Sequence, residues 1–290
     1  MKKPLLSILL AYLLWGAVLP SYLKLFSGYN SFYVLCSRIL WSLLLCTALI
    51  FATGRAKKLP ELFKNERGRF LAAGFNGFTV AANWGIYIWA INRGHVLDAS
   101  LGYYIQPLVI FIISAVVFRE KLNKAQLAAI ALAALGVVVL TVGLGTLPVV
   151  ALSLAITFSA YGTIKKLHGV KTIESLFLET AFTAPIALCF CAYCAVSGTG
   201  ALAASGAAGV PLLLGLGLIT ALPLLLYSYS LNGLPYSIVG FMQYITPTFL
   251  LFTGVLAGEK LTVWHGIALP CIWAGFALFM FTSIRADKHS

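Results

Sequence analysis

Two charged residues, Arg38 and Glu179, fall inside long apolar stretches of the chain. A charge in the hydrocarbon core of a membrane is costly, so such a residue normally faces a partner or a polar cavity and marks function. Three interpretations are open: the two residues form a structural ion pair, Glu179 gains and loses a proton, or Arg38 holds an anionic group of a ligand. Since desolvation offsets much of the attraction within a buried pair, such a pair would be weak evidence for stability.

Aromatic and amide side chains form a second group that does not suit a lipid environment. Asn83 and Tyr87 are four residues apart and share one face of a helix, with Trp84 beside them. Such side chains either line a small-molecule site or join helices by hydrogen bonds worth about 1 kcal/mol each. The other candidate binding residues are Trp15, Arg38, Tyr103, Gln106, Tyr161, Glu179, Tyr227, Gln243 and Tyr244.

The stretches that carry these residues predict an all-α integral membrane protein. Of 290 residues, 61% are hydrophobic and only 10% are charged, whereas soluble domains are about 25% charged. A helix needs about 20 mostly apolar residues to cross the hydrocarbon core. Ten stretches have about this length: 4–25, 32–53, 70–91, 96–118, 124–142, 147–164, 173–196, 208–231, 236–257 and 262–283.

The positive charges predict the orientation of these ten transmembrane helices. If both termini are cytoplasmic, nearly all of the 20 Lys and Arg residues lie inside, and only Lys24, Arg93 and Lys260 lie outside. The positive-inside rule therefore predicts a multi-pass protein of the inner (plasma) membrane with cytoplasmic termini. The net charge of +12 is spread over short juxtamembrane loops, so no nucleic-acid partner is expected.

The chain repeats itself at a distance of about 140 residues. The segment YYIQP at 103–107 corresponds to QYITP at 243–247, and REKL at 119–122 corresponds to GEKL at 258–261. The repeat predicts that prolines of the fourth and ninth spans kink equivalent helices. It also predicts that Glu120, at the start of the fifth span, and its counterpart in the tenth span stabilise the N-termini of those helices.

The repeat divides the chain into five-helix units, residues 1–145 and 146–290, which together form one membrane domain. After an odd number of crossings the second unit begins on the opposite side, so the two repeats are predicted to be inverted. Inverted repeats are typical of secondary transporters, with substrate sites near the middle of the membrane. Duplication that merely builds a stable bundle is the alternative.

The pattern resembles the EamA branch of the drug/metabolite transporter superfamily over essentially the whole chain. The Glu-Lys-Leu tags are similar to those of the superfamily, and NWGIYIWAINRGHVLDASLGYYIQPL at 83–108 resembles the RarD group of chloramphenicol-sensitivity permeases more specifically. SRILWS at 37–42 and LFLET at 176–180 are also similar to that group. The resemblance implies a basket of ten helices around a central cavity, and the transport of small metabolites or drugs.

The predicted function is a secondary transporter that moves a small organic solute by alternating access, as an exporter or an exchanger. No phosphate-binding glycine-rich loop is present, so a gradient, with protons as the first candidate, would drive it. In that case Glu179 and Arg38 would be the coupling residues. No cofactor, metal or catalytic residue is expected, and the oligomeric state stays open. A membrane-embedded enzyme or a passive channel is the alternative.

Overall fold

The computed structural model describes residues 2–26, 28–92, 96–145, 149–199, 209–256 and 262–287, and over these residues the ordered elements are all helical. The first half contains α1 (Lys2–Leu13), a π-helical turn (Leu14–Val18), α2 (Leu19–Leu23), a 3₁₀ turn (Lys24–Phe26), α3 (Ser31–Ala52), α4 (Lys58–Asn65), α5 (Arg67–Asn92), α6 (Val96–Val116) and α7 (Lys124–Leu144). The second half contains α8 (Val149–His168), α9 (Thr172–Val196), α10 (Gly209–Gly233), α11 (Tyr236–Met242), α12 (Ile245–Leu256) and α13 (Val263–Asp287).

Six helical segments are long and apolar enough to cross a membrane. They are Lys2–Phe26, Ser31–Ala52, Lys124–Gly143, Thr172–Val196, Gly209–Gly233 and Val263–Ser283. The other four predicted spans are also helical, but α5 and α8 carry more polar residues, and the apolar parts of α6 and of α11–α12 are shorter. A multi-pass all-α membrane protein is therefore confirmed, while the number of ten crossings stays a prediction.

Packing and hydrogen bonds satisfy polar residues of α5 and α8, and each helix also has exposed apolar side chains. Helix α8 packs against both α5 and α6, and Asn83 of α5 donates hydrogen bonds to the Leu154 carbonyl (2.9 Å) and the Thr157 hydroxyl (2.8 Å) of α8. Asn76, two turns earlier, donates to the Tyr161 carbonyl at 3.1 Å. These two amides therefore fix the alignment of α5 along α8, because sliding one helix past the other would leave buried amide groups without partners.

Glu120 corrects one prediction about helix ends. Helix α7 begins with a capping box between Asn123 and Gln126 and does not use Glu120. The Glu120 carboxylate instead accepts the backbone N–H of Tyr236 and, at 2.9 Å, that of Ser237, which are the first residues of α11. The prediction that Glu120 serves its own helix was wrong, because a capping carboxylate binds whichever free N–H groups packing brings to it. Its counterpart Glu259 lies outside the described residues.

The two equivalent prolines affect their helices differently. Helix α6 is continuous through Pro107, whereas the helical segment that contains Pro247 is interrupted between α11 and α12. Pro247 has no N–H to bind the carbonyl of Gln243, four residues earlier. Thr246 N–H binds that carbonyl instead, at 3.0 Å, in a tighter turn. This interruption holds Gln243 at the edge of a cavity.

Candidate functional site

A large cavity of about 540 Å³ lies between the two halves of the chain. Its lining extends from the turn around Lys24 and Tyr29 to Arg38, which lies about 10 Å further along α3 than Ser31. The volume falls within the range of small-molecule sites, about 300–1,000 Å³. Seven of the predicted binding residues line it: Trp15, Arg38, Asn83, Trp84, Tyr87, Tyr103 and Gln243.

Arg38 lies at the inner end of this cavity and is only 5% exposed. Its Nε donates a hydrogen bond to the Thr220 hydroxyl of α10 at 2.9 Å, and its guanidinium carbon lies 4.5 Å from the centre of the Trp84 ring. A cation over an aromatic face is stabilised by the ring's quadrupole, more so when it is shielded from water. Helices α3, α5 and α10 therefore orient one guanidinium group together.

Aromatic rings form much of the remaining wall. Tyr87 of α5 and Tyr103 of α6 contact each other edge to face, with ring centres 5.9 Å apart. Trp15 lies in the π-helical turn and meets Phe158 of α8 edge to face, with ring centres 5.7 Å apart. Rigid aromatic side chains supply contact area for a ligand and lose little conformational entropy when one binds.

The remaining predicted residues do not line this cavity and are packed among other side chains. Tyr161 and Tyr227 stack with their ring centres 6.2 Å apart, and Tyr227 contacts Trp15 with ring centres 5.6 Å apart. Gln106 and Tyr244 are also buried. Among the described residues, Gln106 Nε2 and the hydroxyls of Tyr227 and Tyr244 have no hydrogen-bond partner. These residues do not contribute to the cavity wall, although Tyr161 and Tyr227 pack against its lining residue Phe158.

Glu179 is paired with Lys165 and not with Arg38. Both side chains are 2% exposed, and the Lys165 ammonium makes an ion pair with one carboxylate oxygen. Ser175 donates to that same oxygen at 2.8 Å, and the Tyr161 hydroxyl donates to the other oxygen at 2.9 Å. The carboxylate therefore has one charged and two neutral donors, which together offset its desolvation.

The first interpretation, an ion pair between Arg38 and Glu179, was wrong. Trp84 and Thr220 both contact Arg38, and both also line a small void of about 20 Å³ whose wall includes Glu179. These two side chains thus stand between the cation and the carboxylate. The sequence showed that the charges lie in corresponding spans, but the rotation of each helix decides which charge a side chain meets.

Lys165 is a buried charged residue beside the candidate site that the sequence analysis did not single out. It was counted among the cytoplasmic loop cations, but α8 continues to His168 and buries it. Lys165 is four residues after Tyr161, and its ammonium lies 5.2 Å from the centre of the Tyr161 ring. This helical spacing was the available signal. The lining and contact residues that were not predicted include Lys24, Phe158, Thr220 and Thr246.

Comparison with known proteins identifies the family. The model of the EamA-like transporter family matches residues 2–142. The chain is 37% identical to "Uncharacterized transporter YojE" of Bacillus subtilis (strain 168), covering 100% of this chain and 97% of that protein. It is 37% identical to "Protein RarD" of Streptomyces exfoliatus, covering 97% of this chain and 89% of that protein. The chain belongs to the EamA-like transporter family, in its RarD group.

Two further comparisons agree with this membership. "Protein RarD" of Escherichia coli (strain K12) is 30% identical, over 100% of this chain and 97% of its own. A solved crystal structure superposes with a TM-score of 0.72, covering 96% of this chain and 98% of its own, at 20% sequence identity. That likeness is one of fold alone.

Membership of the RarD group supports a role in membrane transport. Several relatives are named as transporters, and the apolar helices make the chain a multi-pass membrane protein. These names point to transport and not to catalysis.

Proposed function

We propose that this chain is an inner-membrane secondary transporter that moves a small organic solute by alternating access, as an exporter or an exchanger. The observation that carries the proposal is the shape of the cavity. It extends inward from the Lys24 turn between residues of both halves, and the buried Tyr161–Tyr227 layer packs behind its lining residues Trp15 and Phe158. A site that is accessible from one side and closed on the other is one of the two states that alternating access requires.

The pairing of the helices supports the prediction of inverted repeats. Such repeats would supply the second state of the cycle, in which the cavity opens to the opposite side of the membrane. Helix α7 packs against α13 and α3 against α9, which are the fifth and second spans of each repeat. Helices α6 and α8 pack together, and their counterparts, α12 and the π-helical turn after α1, do so too. Helix α5 packs on α8, as its counterpart α10 packs on α1. Exchanging the two repeats leaves this set of contacts unchanged, as a twofold relation would.

The proposed orientation has both termini in the cytoplasm. The mouth of the cavity, beside Lys24, would then face the outside, and the Lys165–Glu179 pair would lie nearer the cytoplasmic end of the bundle. The loops and helix ends beyond that pair carry most of the positive charge of the chain, which is what the positive-inside rule requires of the cytoplasmic side.

The same proposal couples transport to protons through Glu179, with Lys165 as the partner that tunes it. In the present state the carboxylate is held by a buried ammonium and two hydroxyl donors, all of which favour its charged form. If the opposite state separates Lys165 from Glu179, burial would favour the protonated carboxyl. A proton would then bind in one state and leave in the other, as a proton-driven cycle needs.

Transport by purified protein in proteoliposomes tests the proposal. A metabolite panel is first screened for compounds that raise thermal stability, because a ligand that binds only the folded state stabilises it. Uptake of the best compound should saturate and should accelerate when the same compound is present inside the vesicles. Linear uptake without such acceleration would indicate a channel, and conversion of the compound would indicate an enzyme.

The coupling part has its own test. The double variant Lys165→Met/Glu179→Gln removes the protonatable pair without leaving a single buried charge. It should still exchange the compound across the membrane, but a pH gradient should no longer drive accumulation. Accumulation with unchanged pH dependence would show that Glu179 does not couple transport to protons.

A further inference from the structure

The charged side chains that the structure describes in the cavity wall are all positive. The described residues that line it include two cations, Arg38 at the inner end and Lys24 at the mouth, and no carboxylate. Lys24 is exposed, whereas Arg38 is buried. A concave site lined with charge of one sign raises the local concentration of ions of the opposite sign.

Most N–H donors of the Arg38 side chain have no hydrogen-bond acceptor among the described residues. Its Nε is bound to Thr220, and this is its one hydrogen bond to the part of the chain that the structure describes. The two terminal nitrogens of a guanidinium group carry four further N–H donors in a planar fork. This fork matches the two oxygens of a carboxylate and binds them with paired, charge-assisted hydrogen bonds.

Glu179, which lines the small void together with Trp84 and Thr220, already has a counter-ion. Glu179 pairs with Lys165, and Trp84 and Thr220 separate it from the guanidinium. No other carboxylate forms an ion pair with Arg38 among the described side chains. A buried cation without a counter-charge is costly, and an anion from outside would relieve that cost.

We infer that the cavity binds a small organic monoanion whose carboxylate pairs with Arg38 and whose flat, apolar body lies against the aromatic wall. This rests on the proposed function only in taking the bound molecule to be the transported one. Gln243 also lines the cavity, and its buried Oε1 has no hydrogen-bond partner among the described residues. Rotation of this side chain toward the cavity would let Oε1 accept one N–H or O–H of the ligand.

Three probes of nearly the same shape separate charge from shape: indole-3-acetate, indole-3-acetamide and tryptamine. Each offers a ring N–H that suits Gln243, and they differ in being anionic, neutral and cationic. Binding to the purified protein is measured by titration calorimetry. The acetate should bind about tenfold or more tightly than the amide, as expected for hydrogen bonds to a charged group, and tryptamine should bind least.

Two variants locate the preference at Arg38. Arg38→Gln should abolish the discrimination between acetate and amide, and Arg38→Lys should retain part of it, since the charge remains but the fork is lost. Arg67→Gln removes one exposed cation outside the cavity, and this control should leave all three affinities unchanged. Size-exclusion profiles and thermal unfolding check that each variant is folded.

The preference of the unmodified protein needs no variant, so the inference is tested even if Arg38→Gln does not fold. Equal affinities, a preference for tryptamine, or no binding of any probe would overturn it. Exchange of the probes across the membrane of proteoliposomes distinguishes failure of the anion site from failure of the proposed transport function. Exchange of tryptamine without the acetate would keep transport and reject the anion site. Tight acetate binding without exchange would support the anion site and reject transport.

Discussion

Glu179 and Arg38 are both buried, but their charges are stabilised in different ways. Glu179 is fully enclosed and has a counter-ion, Lys165, together with two hydroxyl donors. Arg38 has a hydroxyl acceptor and an aromatic face, and it lies beside a cavity. An enclosed ion pair contributes to the stability of the fold or to proton coupling. A cation without a counter-ion beside a cavity favours the binding of an anion.

Removing one charge of the Lys165–Glu179 pair should destabilise the folded protein far more than removing both charges. Glu179→Gln leaves the ammonium of Lys165 buried without a counter-charge and should lower the free energy of unfolding by about 3–5 kcal/mol. Lys165→Met/Glu179→Met should recover most of this loss, because apolar side chains of similar volume fill the site without a desolvation cost. Thermal unfolding of the purified variants measures both effects.

The exposed pair Arg69–Glu66 is the matched control, with a nitrogen–oxygen distance of 2.7 Å. Removing it with Arg69→Met/Glu66→Met should change stability by less than about 1 kcal/mol, since solvent screens exposed charges. A Glu179→Gln variant as stable as the unmodified protein would mean that the buried pair is not ionised in the folded state.

At the scale of helices, the α7–α13 crossing depends on two equivalent glycines. A Cβ on Gly136 would lie 2.7 Å from the carbonyl oxygen of Ala268, and a Cβ on Gly275 would lie 2.7 Å from that of Ala129. Each glycine lets one backbone approach the other, which is how small residues promote helix association in membranes. The two contacts are reciprocal, since each residue of one contact corresponds to a residue of the other at a spacing of 139.

Alanine at either glycine should therefore destabilise the protein despite its higher helix propensity. Gly136→Ala and Gly275→Ala each force the backbones apart, at a cost of about 1–3 kcal/mol, typical of overpacking. Gly266→Ala is the control on α13, because a Cβ there would meet nothing within 4 Å. It should be neutral or slightly stabilising. Equal melting temperatures for all three variants would contradict the close crossing.

At the scale of the whole molecule, the proposed orientation puts the cavity mouth outside the cell. Single cysteines in a cysteine-free background report this, and Gly28→Cys and Asn65→Cys suit the test because both positions are exposed. In intact cells a membrane-impermeant maleimide should label Gly28→Cys and not Asn65→Cys. Both should react after the cells are permeabilised. Labelling of position 65 in intact cells would reverse the orientation and the direction in which the cavity opens.

The amino-acid sequence alone was sufficient to predict the class of the protein and seven of the residues that line the cavity. Long apolar stretches in a chain with few charges can only be satisfied by membrane helices. Polar and aromatic residues within such stretches stand out against that background, so Arg38, Asn83, Trp84 and Gln243 could be singled out before their surroundings were known. The family followed from motifs over the whole chain and is confirmed by full-length relatives.

Which polar groups contact each other depends on how the helices pack and could not be predicted from the sequence. Arg38 and Glu179 correspond in the two repeats, yet each bonds to a residue on a neighbouring helix, Thr220 and Lys165 respectively. Lys165 looked like a loop residue because a lysine at the end of an apolar stretch usually extends its ammonium to the membrane surface. Its burial depends on where α8 ends and how that helix is rotated, and packing against other helices, not local sequence, sets both.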